Sequence, residues 1–262
     1  MAVAARSLEL PRSAPRLTVQ VARDAAEIET SLALRHRVFV EEMGAHIPNQ
    51  APDIETDAFD RHCRHLLVRD TATGRLLAST RLLDDAGAVA AGGFYSQTEF
   101  ELESVLELPG RTLEIGRTCV APDARHGTVM AVLWSGIARL VRAEDHAHLI
   151  GCVSLDARDG GARARALYAA LESRHRSTGT VVRPRRPLPA ADADPAGTRR
   201  PPLLRTYLGL GATVAGEPCW DPAFRVADLF THLQVANLCP RYARHFLESP
   251  GPTAARAGRP VS

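Results

Sequence analysis

LEIGRTCVAPDARHGTVMAVLWSGIARL, residues 113–140, decides the fold of this chain. A strand runs to Val120, a short Pro-Asp turn follows, and Arg125-His126-Gly127 opens a long, strongly apolar helix. The first backbone N–H groups of such a helix have no partner inside it, and the peptide dipoles add partial positive charge there. A strand that feeds directly into a helix start is therefore a ready place for an anionic group.

Outward from this unit the pattern alternates. LTVQV near Leu17 reads as a strand, and the segment from Asp24 through Gly44 as an amphipathic helix. HLLVRD, the turn TATG and RLLASTRLL form a hairpin. Beyond the central unit come a buried strand, HLIGCVSL, a helix, ARARALYAALESR, and two late strands, ATVAG and FRVADLFTHL. Hairpin strands followed by strand–helix–strand–helix predict an α/β (α+β) fold: one domain with a mixed, twisted sheet flanked by helices. The domain is expected over residues 16–248, with loose tails at 1–15 and 249–262. The Pro- and Arg-rich stretch 183–202 is expected to be a disordered surface insert.

Composition narrows the chemistry. All 32 basic Lys+Arg positions are arginine, so neither a Schiff-base lysine nor a Walker A loop is available. A net charge of +2 and an aromatic content of 5% argue against a nucleic-acid partner. The arginines crowd between residues 158 and 205, a distribution that suits an acidic protein partner or peripheral contact with the inner membrane. The five cysteines are scattered without a C-x-x-C pair, which fits reduced thiols in the cytoplasm. His62-Cys63-Arg64-His65 and His146-Ala147-His148 lack a metal-ligand spacing, and no metal is expected. The N-terminus carries no apolar signal segment, and no apolar run reaches the roughly 20 residues of a membrane span.

The central unit resembles the coenzyme-binding segment of the GNAT acyltransferase superfamily. It departs from the usual Gln/Arg-x-x-Gly-x-Gly/Ala spacing, with Gly127, Thr128 and Met130 in that turn. Further motifs accompany it in order: Arg35-His-Arg-Val-Phe39, Glu55-Thr-Asp57-Ala-Phe-Asp60, Ser79-Thr80-Arg81-Leu82-Leu83 and Glu114-Ile-Gly-Arg117. This set resembles the signature of acyl-homoserine-lactone synthases and of bacterial L-ornithine Nα-acyltransferases. The synthases place a tryptophan where this chain has Ala45. GGFYSQTEFEL from Gly92, the Trp134 helix, PLLRTYLGLGA from Pro202 and the ending from Pro240 resemble the ornithine enzymes.

The resemblance implies transfer of a (3-hydroxy)fatty acyl group from acyl-carrier protein to the α-amine of ornithine. The phosphopantetheine thioester would be a co-substrate, with no separate cofactor. Other amine acceptors, S-adenosylmethionine among them, and a non-catalytic haemolysin-like protein remain open. An attacking amine must be neutral, so a carboxylate has to accept a proton, and Glu114 is the candidate. Glu114 and Arg117 would point to opposite faces of a regular strand unless Gly116 hosts a β-bulge. Backbone N–H groups near Thr118 and Val120 are candidates for the oxyanion, and Arg125, Gly127 and Thr128 for the pantetheine phosphate. Arg35, Arg81 and Arg117, with Glu55, Asp57 and Asp60, would bind the amino-acid charges or form a structural ion network; Asp57 is the favoured substrate contact. Phe39 and Phe94 are expected in the core, and Cys119 as a small buried residue rather than a nucleophile.

Overall fold

The computed structural model describes residues 16–48, 51–125, 127–189 and 200–239. The expected tails at 1–15 and 249–262, and residues 190–199 of the expected insert, lie outside these residues.

The strands are β1 (Leu17–Val21), β2 (Arg64–Asp70), β3 (Leu76–Asp84), β4 (Phe100–Glu101), β5 (Arg111–Val120), β6 (His146–Asp156), β7 (Arg183–Pro184), β8 (Thr213–Val214), β9 (Cys219–Asp221) and β10 (Val226–Gln234). The helices are α1 (Ala25–Arg35), α2 (Asp85–Ala91), α3 (Glu103–Leu106), α4 (Gly127–Ala143), α5 (Ala162–Ala169) and α6 (Pro202–Leu210). The main sheet runs β1-β2-β3-β5-β6-β10-β8, with β9 also on β10, and β4 pairs β7 apart from it. Its pairs are antiparallel except β5–β6, which is parallel and joined by the crossover helix α4.

The register shows which helix covers which face. Ser79, Arg81 and Leu83 share one face of β3, and there Ser31 of α1 meets Ser79, Oγ to Oγ at 2.9 Å. Leu66 pairs with Thr80 on the opposite face, where α4 lies: a Cβ on Gly136 would touch Leu66 and Val19. Glycine at 136 thus lets α4 press closely on β1 and β2. Leu67, Ala78, Leu113, Leu133, Ala227 and Leu229 are among the fully buried core side chains.

Asp24 caps α1, its carboxylate accepting the Glu27 N–H at 2.9 Å. The chain then leaves the α-helical path: residues His36–Glu42 form a π-helical segment rather than the single amphipathic helix expected from Asp24. The stretch expected as a disordered insert is also partly structured. Arg183–Pro184 pairs with Phe100–Glu101, Arg185 N–H donates to Glu99 O, Pro187 bridges to Cys219, and Pro202 begins α6. Proline at the first helical turn loses no intrahelical hydrogen bond there.

Candidate active site

β5 and β6 pair only from Arg111↔His146 to Glu114↔Ile150, yet β5 continues to Val120 and β6 to Asp156. The two parallel strands therefore part after Glu114, and a cavity of about 830 Å³ opens between them. Residues 115–120 of β5, 152–154 of β6, the start of α4 and the first two turns of α6 line it. The β3–β5 register slips between Ser79 and Arg81, so Thr80 stands opposite both Arg117 and Thr118. This is the bulge anticipated at Gly116, displaced by one residue: Arg117 itself holds φ +50. A left-handed arginine is strained, and its contacts show what holds it there. Its Nε donates to Glu55 and its Nη2 to Asp57, at 3.2 and 3.1 Å. Its guanidinium also lies between the Tyr95 ring, 4.6 Å away, and the Phe224 ring, 4.7 Å away.

The bulge places Glu114 and Arg117 on one side of the strand, at the cavity wall. The Glu114 carboxylate is well supplied with donors: Ser96 N–H and Oγ–H on Oε1, at 2.8 and 2.5 Å, and Tyr95 N–H on Oε2 at 2.7 Å. Glu114 thereby fixes the turn Tyr95–Thr98. Burial raises its pKa above the usual glutamate value, against the lowering effect of these donors.

Arg35, Arg81, Arg117, Glu55, Asp57 and Asp60 come together as one network. Arg35 pairs with Glu55 and Asp60, Arg81 with Asp57 and Asp60, and Arg117 with Glu55 and Asp57. Three guanidinium groups thus meet three carboxylates. Arg35 and Glu55 are essentially inaccessible, so their place is structural, tying α1 to the loop before β2. Burial alone would raise the Asp60 carboxyl, but the Arg35 guanidinium, aided by Arg81, holds it well below its ordinary range. Asp57, the favoured substrate contact, has Oδ1 engaged by Arg81 and the Phe59 N–H and Oδ2 by Arg117. Arg117 is the member of this network that lines the cavity.

Thr118 and Val120 follow the bulge on the cavity wall. Arg125 also lines the cavity but is engaged: both terminal nitrogens donate to Glu42, each at 2.6 Å, and its Nε reaches Val120 O at 3.3 Å. Gly127 and Thr128 sit exposed at the start of α4, Gly127 on the cavity lining. Phe94 is buried as expected, whereas Phe39 lines the cavity and packs edge-on to Phe224. Burial pushes the Cys119 thiol up to about 11, and the Cys152 thiol also rises, so both remain poor nucleophiles. Among the described residues, the arginines of the second half are largely occupied within the chain. Arg176 donates to the carbonyls of Tyr168, Ala169 and Leu171, Arg186 to Trp220 O, and Arg158 pairs with Asp156.

A second acidic group was not visible in the sequence. Glu99, Asp221 and Asp228 converge within 4.8 Å and are all buried, and Asp221 and Asp228 line the cavity. They come from a turn, the end of β9 and the start of β10, Glu99 more than a hundred residues before the two aspartates, without a local motif. Asp221-Pro222 reads only as a turn, and Asp221 does cap it, accepting from Ala223 N–H and Phe224 N–H.

The Acetyltransferase (GNAT) domain family matches residues 34–135. Among solved structures, the chain resembles the AHL synthase LasI, with a TM-score of 0.54 at 11% identity over 92% of this chain and 100% of that one. It also resembles FeeM, an N-acyl amino acid synthase from uncultured soil microbes, with a TM-score of 0.52 at 10% identity over 86% and 95%. At these identities the likeness concerns the fold. Sequence relatives are nearer. The L-ornithine N(alpha)-acyltransferase of Rhizobium meliloti (strain 1021) is 33% identical over 100% of this chain and 93% of its own length. That of Rhodobacter capsulatus is 33% identical over 80% and 87%. With near-complete coverage at this identity, and the parted strands, bulge and helix start all in place, the chain belongs to the L-ornithine Nα-acyltransferase family.

Proposed function

We propose that this chain transfers a (3-hydroxy)fatty acyl group from the phosphopantetheine thioester of acyl-carrier protein to the α-amine of ornithine. The product would be lyso-ornithine lipid, formed in the first step of ornithine lipid synthesis. The reading is carried by the cavity between β5 and β6, which begins beside Glu114 and ends at the exposed start of α4. A pantetheine arm laid in that opening would lie alongside the free edge of β5, with its phosphate toward the N–H groups of Gly127 and Thr128. Arg125 would join it by exchanging its Glu42 partner for phosphate. The acyl chain has apolar wall to follow in Val38, Met130, Trp134 and Leu203.

In the transfer, the amine nitrogen attacks the thioester carbonyl carbon, the carbonyl oxygen takes up negative charge, and the C–S bond then breaks. Backbone N–H groups at Thr118 and Val120 support the oxyanion; removing one such donor typically costs about 2.7–4 kcal/mol of barrier. The proton lost by nitrogen passes to Glu114, whose Oε2 accepts a single donor, and from there to the pantetheine sulfur, which leaves as a thiol and restores the carboxylate. A glutamate raised toward neutrality is a better acceptor for this step than an ordinary one. Arg117, at the wall, offers its charge to the ornithine carboxylate. No acyl-enzyme is invoked, in keeping with the raised Cys119 and Cys152 thiols. No helix among the described residues is long and apolar enough to cross a membrane. A cytoplasmic enzyme meeting the inner membrane peripherally accords with a soluble carrier and a lipid product.

The test is incubation of the purified protein with acyl-carrier-protein thioesters and a panel of amines including ornithine, other amino acids and S-adenosylmethionine. Mass spectrometry should find ornithine acylated on its α-nitrogen. Acylation confined to another amine, or to none, refutes the reading.

A further inference from the structure

Ornithine carries a second amine, and the arginine-paired network leaves it no partner. The three carboxylates of Glu55, Asp57 and Asp60 are already matched by three guanidinium groups. Glu99, Asp221 and Asp228 differ in kind. Among the described residues, no arginine or histidine pairs with any of them, although they are only 1%, 7% and 3% exposed. Each has one oxygen fixed by the protein: Glu99 Oε1 accepts the Tyr95 hydroxyl at 2.9 Å, Asp228 Oδ1 the Ser154 hydroxyl at 2.6 Å, and Asp221 Oδ1 two backbone N–H groups. The Glu99 carboxylate faces the two aspartates, and its buried Oε2 receives no hydrogen bond from a hydroxyl, amide or guanidinium group. A buried acceptor left unmatched costs on the order of 1–3 kcal/mol, and more when charged, which points to a donor arriving from outside.

We infer that Glu99, Asp221 and Asp228 form the subsite for the side-chain ammonium of the amino-acid acceptor, and so set its specificity. The inference rests on the ornithine reading and supplies what that reading lacks, a means of sensing the side chain. An alkylammonium has three N–H donors, and three carboxylates within 4.8 Å offer three acceptors. Two residues also link the cluster to Arg117. Tyr95 touches both ends: its hydroxyl binds Glu99 and its ring carries the Arg117 guanidinium. Phe224 does the same from the other side, its N–H on Asp221 and its ring against Arg117. An amino acid lying along this wall would have its carboxylate at Arg117 and its distal ammonium among the acids. Burial and mutual repulsion raise the Glu99 and Asp228 carboxyls when the site is empty, as expected of a cluster whose counter-charge is a ligand.

The experiment compares ornithine with norvaline, which has the same carbon chain without the distal amine, in the full-length enzyme with acyl-carrier-protein thioester. The variants are Asp228→Asn and Glu99→Gln, which keep side-chain size and remove charge. Wild type should favour ornithine strongly. Each variant should lose about 10- to 100-fold in kcat/KM for ornithine, mainly through KM, while norvaline turnover holds or rises. Thermal unfolding shows whether each variant is folded; both should be at least as stable as wild type. Equal losses on both substrates, or unchanged ornithine kinetics in both variants, overturn the subsite. Activity abolished by a chelator and restored by magnesium or calcium alone would assign the three carboxylates to a metal and also overturn it. If wild type acylates neither amino acid, the ornithine reading itself has failed, an outcome separate from a wild type that uses both equally, which removes only the subsite.

Discussion

Gly151→Ala tests whether the parting of β5 and β6 is set by backbone contact. Gly151 follows Ile150, the last β6 residue paired with β5. A Cβ placed on it would come closer than 3.0 Å to the Ile115 carbonyl oxygen, a separation that real Cβ atoms essentially never show. The obstacle is backbone, so no rotamer relieves it, and β5 must retreat by a sizeable fraction of an ångström just before its bulge. Overpacking of this kind costs about 1–3 kcal/mol, and alanine recovers about 0.5–1 kcal/mol of the entropy that glycine loses on folding. The net is a destabilisation of about 0–2.5 kcal/mol, or a Tm lower by up to about 10 °C for a chain of this size. The kinetic effect should be larger, because a 1 Å misplacement of reacting groups can cost about 100-fold. Differential scanning fluorimetry and steady-state kinetics measure the two, with Gly179→Ala, where an added Cβ meets nothing within 4 Å, as the control. Normal kcat/KM for acyl-carrier protein, with or without a loss of stability, refutes the claim that this contact sets the donor cleft.

Glu114→Gln should lower kcat by about 10²–10⁴-fold and abolish the acid limb of the kcat/KM–pH profile, which in wild type lies above the ordinary glutamate range because burial raises the carboxyl; a surviving limb would leave Glu114 with only its hold on the Tyr95 turn. Arg35→Met leaves buried Glu55 and Asp60 with one guanidinium partner each, Arg117 and Arg81, and the network one positive charge short, and should cost about 3–5 kcal/mol in urea unfolding; a loss under about 1 kcal/mol would show the network to be dispensable. Arg125→Gln should raise KM for acyl-carrier protein while Glu42→Gln lowers it, since Glu42 competes with phosphate for the same guanidinium; identical shifts in both variants would argue that the pair acts as a strut. For Asp228 the sign follows from a raised carboxyl: its contribution is favourable below the unfolded value, about 3.9, and is lost as pH rises through the folded one. Asp228→Asn should therefore raise Tm at pH 8 by more than at pH 5, and a pH-independent difference counts against a buried ionisable acid there.

Where local pattern carried the information, the sequence was legible. The apolar run of α4 and the hairpin of β2 and β3 stand where periodicity and turn residues put them. Short elements escaped. Asp84 caps α2 and Gly92 closes it in the left-handed conformation, but the intervening DAGAVAA is too short to show a period. The bulge was anticipated from a glycine, yet its strained residue is Arg117, because Glu55, Asp57 and two aromatic rings hold the guanidinium where a regular strand would not place it. No single-sequence signal encodes such a tertiary override. The same limit hid the Glu99, Asp221 and Asp228 group, whose members meet only because β9 and β10 pair beside the Tyr95 turn.

The two acidic groups show how one fold separates a scaffold from a recognition site. Each gathers three carboxylates, all buried but the partly buried Asp57, and burial alone would oppose their charge in either place. Around Glu55, Asp57 and Asp60 the protein supplies three guanidinium groups of its own, so the charges persist and the depressed Asp60 carboxyl records it. Around Glu99, Asp221 and Asp228 it supplies hydroxyls and backbone N–H groups, enough to orient three oxygens but not to neutralise them. A self-contained ion network resists exchange, because an incoming ligand must first displace a buried partner. The unmatched cluster has no such partner to displace, and an ammonium entering it relieves both repulsion and an orphaned acceptor. Substrate recognition is therefore expected where compensation is incomplete. The arginines that look most like ligands in the sequence serve chiefly to hold that place open.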